Sequence, residues 1–600
     1  MRRQFFLFFF CFLGCMALGQ PADFRNIETG HPIYANGYID QPYLVVLPDQ
    51  TWLCVFTTGS AEEGLGGQHI AASRSRDKGA TWSEPVAIEP PEGPAASWAM
   101  PYLTAYGRVY AFYVYNGDGV TELEGEPIRN DMLGWYCFKY SDDGGQTWSA
   151  RYRIPVRVTA VDRGNDFEGK VQLMWGIGKP VRVGTGMMFG FTKLGKYMLD
   201  RGEGWFMYSD NIEAEKDPEK LHWATLPEGD FGVRNPDFGS VQEEHNLFQM
   251  NNGDLYCMYR TQLGYATQSY SRDGGKSWSL PDLARYPDGR PLKNSRACPR
   301  IWKCSNGKYL FWYHNHSGDH FAQRNPAWLS GGIERDGQIV WSQPEIAVYG
   351  EDYSYESGRF SYPDLIEDRE SGTFWVSESS KVQARIHPIP AEILDGLWGQ
   401  FENPSDQVRD SLVMEVLDTA LINKGGLKIE GLPIHHEKGS ILIKGMEPTG
   451  GLTLELTIHP RDFSHGRMLL DTRSIVGSGL YVQTTGYRQI EVGLCNSEYC
   501  ETWTTDPGML DVIKDHHVSL IIDNGPKIMM WVVDGKLCDG GTSRQFGWTR
   551  YPKYIGTVKT NKKSEMKVMP EEVLSVRVYN RALRVSEAVS NYHFWQNNRR

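Results

Sequence analysis

Several residues able to do chemistry stand where an alternating apolar strand begins. Asp40 precedes Pro42-Tyr-Leu-Val-Val, and Glu244-His245 precedes Asn-Leu-Phe. Arg300 follows Pro299, and Tyr362 and Asp364 flank Pro363. A phenol, carboxylates, an imidazole and a guanidinium suit nucleophilic and acid–base work on a polar substrate. A tyrosine with its ordinary pKa near ~10 is a poor nucleophile at neutral pH until a base takes its proton. A histidine beside a scissile oxygen serves as general acid at mildly acid pH, a role open to His69 and His245. Each also has a plainer reading: Tyr362 stacked among 31 tyrosines, the histidines structural, Asp40 capping a strand. These groups act together only if the fold brings them to one place.

A repeated sheet unit would do that. Ser75-Arg-Asp77-Lys-Gly79-Ala-Thr81-Trp82 recurs as Ser141-Asp-Asp143-Gly-Gly145-Gln-Thr147-Trp148 and as Ser271-Arg-Asp273-Gly-Gly275-Lys-Ser277-Trp278. In this box the Asp carboxylate bonds backbone N–H groups of its own turn, Gly supplies a positive φ, and Trp returns into the sheet. Trp223 and Trp341 continue the series behind more worn boxes. The strand starts at Pro42, Pro101, Pro180, Glu244, Pro299 and Pro363 run in phase with it. Six units of about 60 residues, each long enough for four short antiparallel strands, predict an all-β, six-bladed β-propeller. A propeller sets the start of every innermost strand at the central channel, so the residues beside those prolines converge.

The boxes resemble the Asp boxes (BNR repeats) of the sialidase (neuraminidase) superfamily. Blades four to six carry more specific likeness. Glu244 leads through Asn252-Gly253 to Arg260, sixteen residues on, similar to the family's Glu…Asp-Gly…Arg. Tyr362-Pro-Asp-Leu365 before Phe374-Trp-Val-Ser-Glu378 is similar to its Tyr-Ser-x-Leu, and Arg324 stands where its blade-five arginine falls. The resemblance implies an exo-α-sialidase-like glycoside hydrolase with Tyr362 and Glu244 as nucleophile pair. It implies Arg260 and Arg324 as bidentate binders of an acidic group. Both arginines have an alternative use, ion pairing with Glu243 or Glu244.

A keto-sugar such as sialic acid carries a carboxylate on its anomeric carbon. That charge repels a carboxylate nucleophile but not a neutral phenol, and tyrosine-based sialidases depart from the two-carboxylate pattern of most glycosidases. The departures of this chain are equally specific. Where the family opens blade one with Arg-Ile-Pro, this chain has Asp40-Gln41-Pro42. Before the first box, where an acid/base Asp is expected, it has Glu62, Glu63 and then Gln68-His69. Asp40 and His69 are therefore the candidate acids, with Tyr362 and Glu244 as the catalytic set. Gln68, His245, Arg260, Arg300, Arg324 and Asp364 are the candidate substrate contacts, with Trp98, Met100 and Trp175 as an apolar wall.

The repeat stops after Pro390. Residues 396–425 read as a linker with a short helix around Val408 to Val416, and residues 426–600 as a second β domain. Val576-Arg-Val-Tyr-Asn-Arg-Ala-Leu583, His516-His-Val-Ser and Val533-Asp-Gly-Lys resemble a laminin-G or concanavalin-type jelly roll. Such a domain either binds glycans or packs against its enzyme. Residues 1–19 read as an export signal: Arg2 and Arg3, an apolar Phe5 to Leu13, and Ala17-Leu-Gly19 before Gln20. The propeller would then span residues 20–395, and the protein would be secreted or periplasmic, with a lipid anchor at Cys15 as the alternative. The apolar run is too short for a permanent membrane span.

A formal charge of −12 argues against a nucleic-acid partner. With no P-loop, dinucleotide fingerprint or HExxH, no nucleotide cofactor and no catalytic zinc is expected, and no residue set in the chain points to another metal, calcium at the second β domain staying open without support. Of the cysteines, Cys54, Cys137 and Cys257 sit in strand patterns as buried thiols, while Cys495–Cys500 and Cys298–Cys304 are candidate pairs. Four functions remain open: a sialidase; a hydrolase of another uronic, keto-deoxy or deoxy sugar, which Asp40 favours; a polysaccharide lyase using His245, Tyr362 and Arg260; and a non-catalytic glycan binder.

Overall fold

The computed structural model describes residues 23–599 apart from 61, 66, 198–200, 320–321, 352–358, 403–405, 418–426, 430–449, 476, 497, 553–563 and 570. The expected export signal lies outside the described residues. Strand makes up 45 % of the chain and helix 7 %. No helix among the described residues is long and apolar enough to cross a membrane.

Residues 31–389 form six antiparallel sheets of four or five strands. The innermost strands of five are Tyr38–Val46, Ala96–Leu103, Gln242–Gln249, Arg300–Lys303 and Ser361–Asp368. The third sheet begins with two short strands, Met174–Trp175 and Val181–Val183, both paired with Gly186–Lys193. Each sheet shares an apolar core with the next. Leu53, Val55 and Ala72 meet Val109, Ala111 and Tyr113 between the first and second. Leu310 and Trp312 meet Leu365 and Val376 between the fifth and sixth. The sixth closes on the first through Ile366 and Ile386 against Trp52 and Cys54. Strands clamped on both faces read as continuous apolar runs, as in Val109–Tyr115, which is buried throughout. The sixth sheet takes its outer strand, His31–Tyr34, from the start of the chain, paired with Ala384–Ile389.

The three boxes make the same turn. In each, Ser Oγ accepts from the Gly N–H at 2.8 Å and Asp Oδ2 accepts from the following Thr or Ser hydroxyl at 2.6 Å. The Gly φ angles are 84°, 85° and 92°. A Cβ at Gly145 would stand 2.6 Å from Leu53 of the preceding sheet, so this glycine serves both the turn and the inter-sheet contact.

Leu412–Val416 is a strand, not the expected helix. It pairs with Val573–Tyr579 at the edge of a seven-stranded sheet. The expected linker is therefore partly structured, and it also includes the end of helix Ala391–Gly399, whose Trp398 Nε1 donates to Tyr309 O at 3.0 Å. A six-stranded sheet faces the seven-stranded one across Leu454, Leu456, Val482, Val492 and Trp531. Strand Ile528–Val533 serves two cores by alternation. Met529, Trp531 and Val533 face into this sandwich, and Ile528, Met530 and Val532 pack with Tyr286, Trp328 and Ile346 of the first part.

Cys495 and Cys500 form a disulfide. Cys298 and Cys304, the other candidate pair, are separate buried thiols, as are Cys54, Cys137 and Cys257. Cys298 and Cys304 bracket strand Arg300–Lys303, whose extended backbone carries them apart.

Candidate active site

Four innermost strands carry the same irregularity at the same place. The register shifts between Asp40 and Tyr43, Ser97 and Met100, Glu243 and Asn246, and Ser361 and Asp364. Each bulge puts a non-glycine residue in the left-handed region: Gln41 at φ 52°, Trp98 at 63°, Glu244 at 59° and Tyr362 at 47°. Such backbone costs about 1–3 kcal/mol per residue and re-aims the side chain. The N–H groups that leave the ladder find side-chain acceptors. Glu244 N donates to Thr192 Oγ1 at 2.9 Å, Tyr362 N to Cys298 Sγ at 3.1 Å, Trp98 N to Thr57 Oγ1 at 3.0 Å and Gln41 N to Asp40 Oδ1 at 3.0 Å.

These bulges bring the fourth and sixth sheets together at one hydrogen bond. Tyr362 OH donates to Glu244 Oε1 at 2.9 Å, and Arg260 Nη1 lies 2.9 Å from the same oxygen. Arg260 Nε also binds Glu243 Oε2 at 2.9 Å, and Arg296 approaches that carboxylate at 3.2 Å. Arg260 thus makes both ion pairs foreseen as its alternative use, and still sits against the Tyr362–Glu244 pair. Arg324 Nη1 donates to Ser361 Oγ at 2.5 Å, with its guanidinium 5.7 Å from the Tyr362 ring centre. Burial and the Glu244 charge raise the Tyr362 phenol above its usual range, while Arg260 and Arg324 pull it back.

On the other side of Tyr362 lies a cation the sequence did not flag. Lys381 Nζ is 4.4 Å from the ring centre. It bonds Asp40 Oδ2 at 2.5 Å and Glu63 Oε2 at 3.1 Å. Glu63 continues to Arg129 at 2.7 Å, which bonds Asp131 at 2.7 Å. The two carboxyls sharing Lys381 move apart. Burial pushes Asp40 up more than Lys381 pulls it down. Burial also pushes Glu63 up, but Lys381 and Arg129 outweigh it and hold Glu63 well below the usual range. Of the two, Asp40 is therefore the carboxyl that holds a proton more readily.

Other expected residues lie elsewhere. His245 is fully buried, stacked on Tyr259 at 4.2 Å, with Nδ1 3.1 Å from Thr192 Oγ1. Burial pushes its pKa down to about 3, so it is a neutral core side chain rather than a substrate contact. Alternation sends it away from Glu244, its neighbour on the strand. Arg300 and Asp364 also leave the cluster. Arg300 donates to Ile177 O at 2.8 Å and Pro363 O at 3.2 Å, and Asp364 accepts from Leu44 N and Lys179 Nζ, each at 2.8 Å. They line a cavity of about 900 Å³ with Leu47, Leu103 and Glu367, at the far ends of the innermost strands. Asp364 is the first residue back in register after the bulge of the sixth sheet, and Arg300 opens a strand whose register is unbroken. Met100 and Trp175 are core, packed with Phe112 and Phe189. His69 bonds locally, Nδ1 to Gly67 O at 2.9 Å. Gln68 backs the ion network, donating to Ser97 Oγ at 2.7 Å and accepting from Gly64 N at 2.7 Å.

Sequence reasoning missed Lys381, Arg129, Asp131 and Arg296. Arg296 precedes Pro299 and so stood within reach of the strand-start rule. Lys381 follows the second strand of its sheet, where no repeat landmark points. Among the described residues no group of three or more His, Cys, Asp or Glu side chains is arranged to hold a metal ion.

Residues 201–376 match the BNR repeat-like domain family, and residues 139–150 match the BNR/Asp-box repeat. The longer stretch contains Glu244, Arg260, Arg324 and Tyr362. Among solved structures, a leech intramolecular trans-sialidase is similar at 13 % identity and TM-score 0.43, covering 62 % of this chain and 71 % of its own. The intramolecular trans-sialidase of Ruminococcus gnavus is similar at 14 % identity and TM-score 0.44, covering 62 % of this chain and 99 % of its own. A Trypanosoma rangeli sialidase is similar at 13 % identity and TM-score 0.40, covering 94 % of each chain.

Proposed function

We propose that this chain is an exported glycoside hydrolase of sialidase type that releases a terminal, acidic sugar from glycans with retention. In this reading the six sheets are the blades of a propeller, residues 20–395, and residues 426–600 are a laminin-G-like jelly roll. The single observation that carries the reading is the 2.9 Å bond from Tyr362 OH to Glu244 Oε1, set by two strained bulges from different sheets. Strain of this kind persists where the surroundings over-determine it, and it clusters at reactive sites.

Glu244 takes the phenolic proton as Tyr362 Oη attacks the anomeric carbon. The bond to the leaving oxygen breaks, and that oxygen receives a proton from the Asp40–Lys381–Glu63 group. Water then cleaves the glycosyl–tyrosine bond, with the proton returning through the same groups. Arg260 and Arg324 hold the substrate's acidic group. Burial of the pair excludes water and strengthens each of these charge interactions.

One observation favours a second sugar class. Asp40 occupies the strand start where the resemblance calls for an arginine, and Arg260 already carries two carboxylates. Both features weaken the hold on a substrate carboxylate and favour a less acidic sugar at the same Tyr–Glu pair. The lyase reading loses its base, because His245 is buried and neutral.

The test is release of free sugar from sialylated, uronate-bearing and deoxy-sugar glycans by the full chain. Tyr362→Phe and Glu244→Gln are each expected to lower kcat by about 10²–10⁴-fold with the fold intact. Wild-type binding of glycan without release of any sugar would make the site a recognition module and end the hydrolase reading.

A further inference from the structure

The stretch that carries Arg324 does not stand on its own sheet alone. His316 forms an antiparallel bridge with Phe546 of the C-terminal sandwich, and Ser317 N donates to Gln545 O at 3.1 Å. Gln545 Nε2 donates to Gln323 Oε1 at 2.8 Å and lies 3.1 Å from His316 Nδ1. On the other side of Arg324, Arg550 Nη2 donates to Asn325 O at 2.9 Å and to Asn325 Oδ1 at 3.0 Å. Arg550 is itself fixed by Nη1 to Pro526 O at 2.7 Å and by its guanidinium 5.7 Å from the Trp548 ring centre. Phe546 and Trp548 meet edge to face at 5.0 Å, and Trp548 lies 6.3 Å from Trp328, two residues beyond Pro326. Gln323 and Asn325, the immediate neighbours of Arg324, are thus both gripped by one six-residue segment of the other half of the chain, residues 545–550.

We infer that residues 545–550 of the C-terminal sandwich are positioning residues for Arg324, so that this part is a structural component of the substrate pocket and not only an appended binding module. The inference rests on the hydrolase reading for its effect on activity. The physical reason lies in the kind of contact Arg324 makes. A guanidinium fork recognises an acidic group only in a narrow geometry, and small displacements forfeit most of the benefit. A connecting stretch is ordinarily the mobile part of a sheet. Here the side-chain clamp comes from Gln545 and Arg550, while Trp548 against Trp328 fixes the strand the stretch feeds. The contact of Arg324 with Ser361, beside the nucleophile, is then reproducible from molecule to molecule.

The experiment uses the full chain with Gln545→Ala, Arg550→Ala, the double variant and Arg550→Lys, with Arg324→Ala as control. Hydrogen exchange at residues 314–319 and 322–328 is measured without substrate, and sialyllactose hydrolysis is measured in parallel. The expected result is faster exchange in those segments for the alanine variants, with other segments unchanged. KM is expected to rise about tenfold with kcat within about threefold, because Arg324 would hold ground state and transition state alike. Arg550→Lys should recover part of the KM, since one donor to Asn325 is restored. Unchanged exchange in the double variant would overturn the inference, as would faster exchange with an unchanged KM while Arg324→Ala raises it. Faster exchange with no hydrolysis by the wild type, or with Arg324→Ala inert, would uphold the bracing and count against the hydrolase reading instead.

Discussion

At the residue scale, charge pairing decides what each ionisable group can do. Tyr362 is surrounded by cations, but each described one is also bonded elsewhere: Arg260 to Glu243 and Glu244, Lys381 to Asp40 and Glu63, Arg324 to Ser361. His245 shows the opposite case, a titratable group that burial has silenced. His245→Phe keeps the ring stacked on Tyr259 and loses the polar contacts of the imidazole, with Thr192 Oγ1 and with the Val233 backbone. It should lower stability by about 1 kcal/mol in a denaturant titration. The shape of the kcat/KM profile between pH 5 and 8 should not change, because a group with a pKa near 3 does not titrate there. A displaced acid limb would mean that His245 reaches the chemistry after all. The same logic explains which site residues could be read in advance. Tyr362, Glu244 and Arg260 sit at fixed offsets from a repeat landmark, and the geometry brings them within hydrogen-bond reach. Lys381 owes its place to Asp40 and Glu63, partners more than three hundred residues away in sequence. Arg300 and Asp364 stand beside landmarks too, but Asp364 follows a bulge while Arg300 opens a strand of unbroken register, and both are taken up by partners away from Tyr362 OH.

At the element scale two devices recur, the box and the bulge. The box is visible in sequence because Ser, Asp, Gly and Thr must stand at set spacings for the turn to satisfy its own N–H groups. The bulge leaves no such pattern, because the residues forced to positive φ are Gln41, Trp98, Glu244 and Tyr362, none of them a glycine. Closure of the sixth sheet by His31–Tyr34 is equally silent, since its partner strand lies at Ala384–Ile389. Leu412–Val416 shows the ambiguity of a short apolar run, which periodicity alone assigns to neither helix nor strand. The boxes predict a clean mutational outcome. Asp143 accepts from Gln146 N, Thr147 N and Thr147 Oγ1 at 3.0, 2.9 and 2.6 Å. The turn lies at the outer side of its sheet, away from Tyr362. Asp143→Ala should therefore cost about 1 kcal/mol of stability and leave sugar release unchanged. A loss of activity at full folding would show that the outer turns are coupled to the site.

At the scale of the whole molecule, the two halves are tied by charge as well as by the shared core. Arg25 binds Asp523 at 2.6 Å, Arg290 reaches Asp539 at 3.2 Å, and Glu345 accepts from Val585 N and Ser586 N at 3.1 and 2.7 Å, at the start of helix Val585–Asn598. A core that includes Trp328, Ile346, Ile521 and Met530 is too apolar to open reversibly as a hinge. Acid should expose this coupling. Glu455, buried in the sandwich, bonds Arg577 at 2.8 Å and Asn591 at 2.8 Å and lies 3.3 Å from His517. Burial alone would push its carboxyl up, but His517, Arg577 and Asn591 outweigh it and hold the pKa at about 2, against 4.5 for an ordinary glutamate. A carboxyl depressed in the folded state stabilises fully above its unfolded pKa, and that contribution is lost as pH falls through the window from 4.5 to about 2. The amount is of order 3 kcal/mol. The sandwich is the part directly weakened, yet its outer strand face is also the floor of the fifth sheet. Denaturant unfolding followed by hydrogen exchange in both halves should therefore show one midpoint at pH 7 and one lower midpoint at pH 3, moving together. Glu455→Gln should start lower at pH 7 and lose less between the two. A sandwich that unfolds at pH 3 while the first six sheets stay protected would mean that the shared core joins two independent bodies, and that the grip on Arg324 is released before those sheets give way.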